Sequence, residues 1–183
     1  NPGALEDAAE MLTSAEAPMI VAGRMGRERR ARDPLVELAE LTGAVMFDDH
    51  HLVAFPTNHP QNLTGDMEAR AAADVILAID CVDATEAYDG YFAGVRGRAG
   101  QRVIEMTMEH VQNNSWANYG GPQSAVELQI DCDPHLGLAQ LIPAVKARLD
   151  GDNAAAKRID ERHAALAERH EKLRASQMQR WRA

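Results

Sequence analysis

The stretch from Pro18 to Gly26 constrains the fold more than any other part of the chain. Four apolar residues, Met19 to Ala22, stand between a proline and a glycine, and amphipathic helical patterns lie on either side. A short apolar run in this setting predicts a strand that is buried on both faces. Strands of this kind belong to parallel sheets covered by helices. We therefore predict an α/β domain in which this stretch supplies the first strand and the turn after it.

The rest of the chain continues the alternation of helices and strands. Apolar spacing and end signals predict helices over 4–15, 33–43, 67–73 and from Pro134 onward, and strands over 44–47, 75–79, 103–106 and 126–130. Irregular segments are predicted over 85–100 and 110–124. Pro143 predicts either a kink in the last of these helices or a start displaced to about Leu141. The predicted fold is doubly wound and Rossmann-like, with a mostly parallel sheet of about six strands and a C-terminal helical extension.

Ligands of such sheets bind beyond the carboxyl ends of the strands. Gly23, Arg24 and Gly26 follow the first strand, and Asp80 follows the third. One interpretation is that this turn binds a phosphate or carboxylate group. These four residues are therefore the candidate nucleotide-binding residues. The alternative is a solvated turn in which nearby acids neutralise the arginines. The Gly-x-x-Gly spacing lacks the full dinucleotide fingerprint.

No catalytic residue and no metal site is predicted. Histidines that are adjacent in an extended segment point to opposite sides, so they rarely share one ion. Other strand-end acids are interpreted as helix caps or ribose ligands. The side chains weighed for metal binding are Asp48, Asp49, His50, His51 and His59, and the other strand-end acids are Asp131 and Asp133.

The two cysteines, Cys81 and Cys132, do not form a disulfide framework. Each follows a strand-end aspartate, which should raise the pKa of the thiol and argues against a reactive thiolate. The net charge of −9 argues against nonspecific nucleic-acid binding. No run approaches the roughly 20 apolar residues of a membrane span. Because the chain begins at Asn1 and shows no signal peptide, we expect a cytoplasmic domain of a longer protein.

The last 30 residues differ from the rest in charge and pattern. Residues 154–183 hold eight basic and four acidic residues, a net charge of +4, whereas the rest of the chain carries −13. Ile159, Leu166 and Leu173 recur every seven residues, but the intervening partner positions are polar. This pattern predicts a single-striped helix that docks on a neighbouring surface and forms no coiled coil. His163 and His170 are predicted to lie at the surface, and Trp181 to contact protein outside this segment.

Several local motifs resemble the central domain of thiamine-diphosphate-dependent enzymes of the acetolactate synthase, benzoylformate decarboxylase and pyruvate oxidase group. The most specific is Phe55-Pro-Thr-Asn-His-Pro60, between the second and third strands. The others are Ala17-Pro-Met-Ile-Val-Ala-Gly23, Leu38-Ala-Glu-Leu-Thr-Gly43, Gly65 ahead of Ala73-Asp-Val-Ile-Leu-Ala-Ile79, and the Asp131-x-Asp133 strand end. The resemblance covers roughly residues 4–150 and implies a central domain at 1–152 followed by a helical linker at 153–183.

The resemblance implies a three-domain enzyme acting on 2-keto acids, in which other domains bind thiamine diphosphate and Mg²⁺. In the family, the first domain supplies an activating glutamate and the last a Gly-Asp-Gly…Asn motif. Here Gly65-Asp66-Met67 and Gly151-Asp152-Asn153 both lack the second glycine. The segment is therefore expected to be non-catalytic alone, to need its missing N- and C-terminal domains, and to belong to a homodimer or homotetramer.

The family's central domain binds FAD in some members, an adenine nucleotide in another, and nothing in several decarboxylases. FAD-binding members commonly show Arg-Phe-Asp-Asp-Arg after the third strand, where this chain reads Asp80-Cys-Val-Asp-Ala-Thr. The first alternative function is a stand-alone nucleotide-binding module. The second is a domain resembling the NAD-dependent deacylases, for which His59 and His110 qualify by residue type only.

Overall fold

Five parallel strands form a single sheet in the computed structural model, which describes residues 2–48, 53–81, 100–108 and 126–182. The strand order is β2-β1-β3-β4-β5, so the direction of winding reverses between β1 and β3. The predicted doubly wound fold is confirmed, with five strands among the described residues. The predicted irregular segments lie outside them except for Gly100. The strands are β1 (Pro18–Ala22), β2 (Val45–Asp48), β3 (Val75–Ile79), β4 (Arg102–Thr107) and β5 (Leu128–Asp131).

Helices cover both faces of the sheet. The first face packs α1 (Pro2–Ser14), α2 (Arg32–Thr42) and α4 (Pro134–Leu149), and the second packs α3 (Met67–Ala72) and α5 (Asn153–Arg182). Successive β1 side chains alternate between the two cores: Ile20 contributes to the first, and Met19 and Val21 to the second. This alternation explains why the strand is apolar at every position.

The ends of α2 and α4 show how local sequence sets helix boundaries. Helix α2 begins at Arg32, one residue before the predicted start, because a 3₁₀ turn over Arg29–Ala31 runs directly into the helix. Gly43 ends α2 in the left-handed conformation at φ 61°, as predicted. Helix α4 starts at Pro134 and continues through Pro143. The alternative start near Leu141 is wrong. The side chain of Asp133 caps the N-terminus of the helix, directly before Pro134.

Helix α5 packs on the second face of the same sheet through a few anchored side chains. Leu166 and Leu173 contact the second core. The Nη1 of Arg162 donates to the Ala15 carbonyl at 3.0 Å. The segment predicted as a linker therefore completes the second face of the domain.

His170 is buried, with 3% of its surface exposed, so its predicted surface position is wrong. Its Nδ1 lies 2.7 Å from the Asn62 carbonyl. A carbonyl only accepts, so Nδ1 carries the proton. The helical pattern could not reveal this burial, because the ring is held by a backbone oxygen from a segment far away in sequence.

Arg169 joins α5 to the start of α3. Its guanidinium binds both carboxylate oxygens of Asp66, at 2.5 and 2.7 Å, and also reaches Glu68 at 3.1 Å. The hydrogen bonds from Arg169 hold the pKa of Asp66 below its usual 3.8. Asp66 also caps α3 by accepting from the Ala69 N–H at 3.0 Å. One carboxylate therefore stabilises both the short helix and the docking of α5.

We expect the free energy of unfolding of the Asp66→Asn variant to depend less on pH in the acid range than that of the wild type. Because the folded-state pKa of Asp66 is lowered, the stability it contributes is present above about pH 4 and is lost as the pH falls below it. Asparagine can still cap α3, so only the ion pair with Arg169 is lost. Because Arg169 is partly exposed and solvent screens the pair, the free energy of unfolding should fall by only about 1 kcal/mol at pH 7. Urea unfolding at pH 7 and pH 3 measures the difference, and an unchanged pH dependence in the variant would contradict the assignment.

Candidate functional site

The candidate site lies at the carboxyl edge of the sheet, where β1 and β3 are neighbours. The Gly23 N–H donates to the Ile79 carbonyl and the Arg24 N–H to the Asp80 carbonyl, both at 2.9 Å. Backbone amides at such a first turn are the groups that would hold a phosphate. Here the end of the neighbouring strand accepts both hydrogen bonds.

Gly23 is needed because of close packing. Its φ is −71°, outside the left-handed region that favours glycine. A Cβ at this position would lie 2.3 Å from the Asp80 carbonyl oxygen and 2.6 Å from the Cys81 Cα. The glycine therefore lets the turn press against the end of β3, which accounts for it without a bound phosphate.

Arg24 and Asp80 form an ion pair across this junction. The Arg24 Nη2 lies 2.6 Å from the Asp80 Oδ1, and its Nε donates to the Asp80 carbonyl at 3.3 Å. The two side chains are only 15% and 19% exposed. Asp80 itself has φ 50°, in the left-handed region. Charge-assisted hydrogen bonds between largely buried groups are strong. The guanidinium of Arg24 is therefore bound to Asp80 and is not available to a ligand.

A pocket of about 190 Å³ opens beside this pair, between the first turn and the start of α4. Asp133 lines it, but its Oδ1 accepts from the backbone N–H groups of His135 and Leu136 at 2.8 and 3.2 Å. The ring of His135 lies 3.6 Å from Glu28. Contacts within the chain thus already engage Arg24, Asp80, Asp133 and His135, four of the polar residues that line the pocket.

The structure brings together three of the four predicted nucleotide-binding residues. Gly23, Arg24 and Asp80 are in direct contact, whereas Gly26 lies in a 3₁₀ turn and does not line the pocket. Asp131 is exposed at the end of β5. The contact between Arg24 and Asp80 could not be read from spacing, because they are 56 residues apart and meet only once the strand order is known.

Two of the side chains weighed for metal binding, Asp48 and His59, are described by the structure and have partners within the chain. The Oδ1 of Asp48 accepts from the N–H groups of Ala54 and Phe55 at 2.9 and 3.2 Å, and burial raises the pKa of this carboxyl. His59 lies 3.3 Å from Glu40 and packs edge-on against Phe55. Among the described residues, no three His, Cys, Asp or Glu side chains cluster as metal ligands. Asp49, His50 and His51, like His110, fall outside the described residues.

The Phe-Pro-x-x-His-Pro motif builds a folded connection. Phe55 is 1% exposed. The His59 N–H donates to the Pro56 carbonyl at 3.1 Å, and the Asn62 N–H to the His59 carbonyl at 2.9 Å. Gln61, only 2% exposed, donates to the carbonyls of Ala39 and Ala44 at 2.7 Å each. These contacts hold the segment against the end of α2. No sequence pattern indicated this structural role of Gln61.

Neither Gly-Asp segment fits a diphosphate-bound Mg²⁺. Asp66 caps α3 and binds Arg169, and the Oδ1 of Asp152 accepts from the N–H groups of Ala154 and Ala155 at 3.0 and 2.9 Å. Both carboxylates are therefore occupied as helix caps. These residues do not fit thiamine diphosphate and its metal.

Cys132 is half-buried, and burial raises the pKa of its thiol, with Asp133 and Asp131 acting in the same direction. The predicted direction of the shift is confirmed, although burial is its largest cause. A thiol with a raised pKa is mostly protonated at neutral pH. Cys132 is thus a poor nucleophile in this fold.

These observations define a doubly wound α/β domain whose ligand edge is closed at the β1–β3 junction by its own side chains. Residues 5–112 match the family described as thiamine pyrophosphate enzyme, central domain. The match spans more than half of the chain. The chain therefore belongs to the central-domain family of thiamine pyrophosphate enzymes.

Solved structures share the fold at low sequence identity. One is described as a thiamin diphosphate-dependent enzyme from Mycobacterium smegmatis, with a TM-score of 0.58 and 22% identity over 77% of this chain. Another is benzoylformate decarboxylase from Polynucleobacter necessarius, with a TM-score of 0.60 and 18% identity over 79%. The chain spans 27% of the length of each. A comparison with curated proteins finds no match. Among the described residues, no helix has the length and apolarity needed to cross a membrane.

Proposed function

We propose that this chain is the non-catalytic central domain of a cytoplasmic, thiamine-diphosphate-dependent 2-keto-acid decarboxylase or carboligase of the acetolactate synthase-like kind. Residues 1–152 correspond to the family's central domain, and residues 153–183, which pack on its second face, also lead toward a C-terminal domain. Other domains of the same polypeptide hold thiamine diphosphate and Mg²⁺, and the whole enzyme is a homodimer or homotetramer. Family membership and the length of the solved relatives support this assignment.

A structural role for the domain is favoured by one observation, the closed turn after β1. Its amides donate to the carbonyls at the end of β3, and its arginine is paired with Asp80. A pyrophosphate would have to displace both sets of contacts. An ion pair that is mostly shielded from water is costly to break.

The second candidate is nucleotide binding, either within the enzyme, as FAD or an adenine nucleotide, or as a stand-alone module. The position of Asp80 favours it, because a carboxylate at the end of a strand beside the switch point suits a ribose hydroxyl. Gly23, Arg24 and Gly26 would then face the phosphates. This arrangement requires Arg24 to leave Asp80.

Titration with FAD and with ADP separates the two roles. We expect no saturable heat of binding up to roughly 1 mM ligand, because the phosphate-binding groups are engaged. A Kd near or below about 10 μM would contradict the structural role. If binding occurs, Arg24→Gln should weaken it and the control Arg158→Gln, on the exposed side of α5, should not.

A further inference from the structure

A buried ring nitrogen of His170 has no partner among the residues that the structure describes. His170 is 3% exposed, and its Nδ1 donates to the Asn62 carbonyl at 2.7 Å. In this tautomer Nε2 carries no proton and can only accept, yet it is buried without a hydrogen-bond donor among those residues. Buried polar atoms of folded proteins are nearly always hydrogen-bonded. The bare Nε2 therefore points to a donor that a bound molecule supplies.

His170 lines a pocket of about 220 Å³ at the carboxyl end of β2, here called the His170 pocket. Because Nδ1 is engaged by Asn62, Nε2 is the ring nitrogen that remains for a molecule in this pocket. One water molecule takes only about 30 Å³ in the liquid, so the volume admits a small organic molecule. The other lining side chains that bear on its chemistry are Asp48, Thr64, Leu173, Arg174 and Gln177.

Helix α5 supplies one wall of the His170 pocket through a single face. Leu173, Arg174 and Gln177 follow the histidine by three, four and seven residues, and side chains at this spacing lie together on a helix. Leu173 is partly buried and packs against the second core, whereas Arg174 is exposed to solvent. The face thus presents, side by side, a buried acceptor, an apolar surface and a cation.

The cation of this face is available to a ligand. Within the described part of the chain, Arg174 forms no ion pair, unlike Arg169, which binds Asp66. Guanidinium groups bind carboxylates through two parallel hydrogen bonds. The pocket therefore favours a carboxylate within about one helical turn of the Nε2 acceptor.

The remaining polar side chains of the pocket limit the charge of the ligand. Asp48, the last residue of β2, contributes a carboxylate to the lining. The Thr64 Oγ accepts from the Asp48 N–H at 3.0 Å, and its hydroxyl proton has no acceptor among the described residues. Because like charges repel, Asp48 disfavours a dianion such as phosphate more strongly than a monocarboxylate. The lining therefore suits a ligand with one negative charge.

An acceptor and a cation on neighbouring turns define one class of ligand. The Nε2 of His170 requires an O–H or N–H donor, Arg174 a carboxylate, and Leu173 a short aliphatic chain. We propose that the His170 pocket binds a small monocarboxylate whose neighbouring carbon carries a hydroxyl or amino group. No described residue lines both this pocket and the pocket beside Arg24 and Asp80. The inference therefore goes beyond the proposed function and does not rest on it.

Isothermal titration of the 183-residue chain with three matched acids tests the proposal. The acids 2-hydroxybutyrate and 2-aminobutyrate each carry a donor beside the carboxylate, and butyrate lacks it. We expect at least one of the first two to bind with a Kd below about 1 mM, and butyrate to bind at least about tenfold more weakly. Binding of the hydroxy acid alone, or of the amino acid alone, identifies the donor that the pocket accepts.

Two variants separate the ligand contacts from the packing of α5. His170→Asn should weaken binding by about tenfold, because the asparagine amide can take the place of Nδ1 and still donate to the Asn62 carbonyl, while Nε2 is lost. Arg174→Gln should weaken it similarly. The control is Arg180→Gln, which removes an arginine from the same end of α5 but outside this pocket and should leave the affinity unchanged. Circular dichroism confirms that each variant is folded.

Nitrogen NMR with ¹⁵N-labelled histidine follows the contact without a substitution. The Nε2 resonance of His170 should move upfield as the ligand donates to it, while Nδ1, which stays bound to the Asn62 carbonyl, should change little. Three results would each overturn the proposal: no saturable binding of any of the acids up to about 20 mM, equal affinity for butyrate, or binding that leaves the Nε2 resonance in place. The first would leave water as the partner of Nε2.

Discussion

Gly23→Ala is expected to destabilise the domain by about 3 kcal/mol or more, a large fraction of the roughly 5–15 kcal/mol that holds a typical domain together. The added methyl would lie 2.3 Å from the Asp80 carbonyl oxygen. Backbone atoms supply all three of its nearest contacts, so no side-chain rotation relieves the clash. Relief requires the ends of β1 and β3 to separate, which also weakens the hydrogen bond from Gly23 to Ile79. Urea unfolding measures the loss.

Gly137→Ala is the matched control for this effect. A methyl there would lie 2.5 Å from the Met106 sulfur and 2.8 Å from the Cys132 sulfur. These are side-chain atoms, and methionine adapts readily. The loss at Gly137 should therefore be clearly smaller, about 1 kcal/mol. Equal losses at both glycines, or a stable Gly23→Ala protein, would refute the close approach of the two strand ends.

Truncation before Asn153 is expected to lower the free energy of unfolding by about 4 kcal/mol, from lost burial and lost charged hydrogen bonds. Leu166 and Leu173 would no longer cover the second core. Asp66 would lose Arg169, and the Asn62 carbonyl would lose His170. Thermal and urea unfolding of the shortened chain measure the change.

A second truncation, after Gln177, shows whether the loss of stability comes from the contacts of α5 with the sheet or only from shortening the helix. It removes the exposed side chains of Met178 and Trp181 but keeps every contact between α5 and the sheet named above. The free energy of unfolding should then change by less than about 0.5 kcal/mol. If truncation before Asn153 lowers the free energy of unfolding no more than truncation after Gln177 does, then the packing of α5 on the sheet contributes nothing to stability.

Much of the fold was predictable because its central strands carry an unambiguous signal. Strand β3 was predicted at its observed bounds, since Val75 to Ile79 is apolar at every position and a doubly covered strand demands this. Strand β5 was misplaced by one to two residues. It lies at the edge of the described sheet, and the exposed Glu127 just before it and Gln129 within it weaken the apolar pattern.

The candidate site was less predictable, because its contacts join distant parts of the chain. The type and position of Asp80 were visible, but its pairing with Arg24 depends on β1 and β3 being neighbours. His170 was misjudged because a polar helix gives no sign that a ring donates to a carbonyl 108 residues earlier. Spacing rules describe one element at a time, whereas these interactions arise from the arrangement of several.

Intact mass spectrometry of the complete gene product, with an absorbance scan, tests the central claim most directly. The central-domain assignment expects a mass near three times 20.0 kDa, since the matched 77% of this chain corresponds to 27% of a solved relative, and it expects no flavin band near about 450 nm. The same mass with a flavin band would replace the structural role with FAD binding. A complete product of 20.0 kDa would contradict the multi-domain enzyme and favour the stand-alone module.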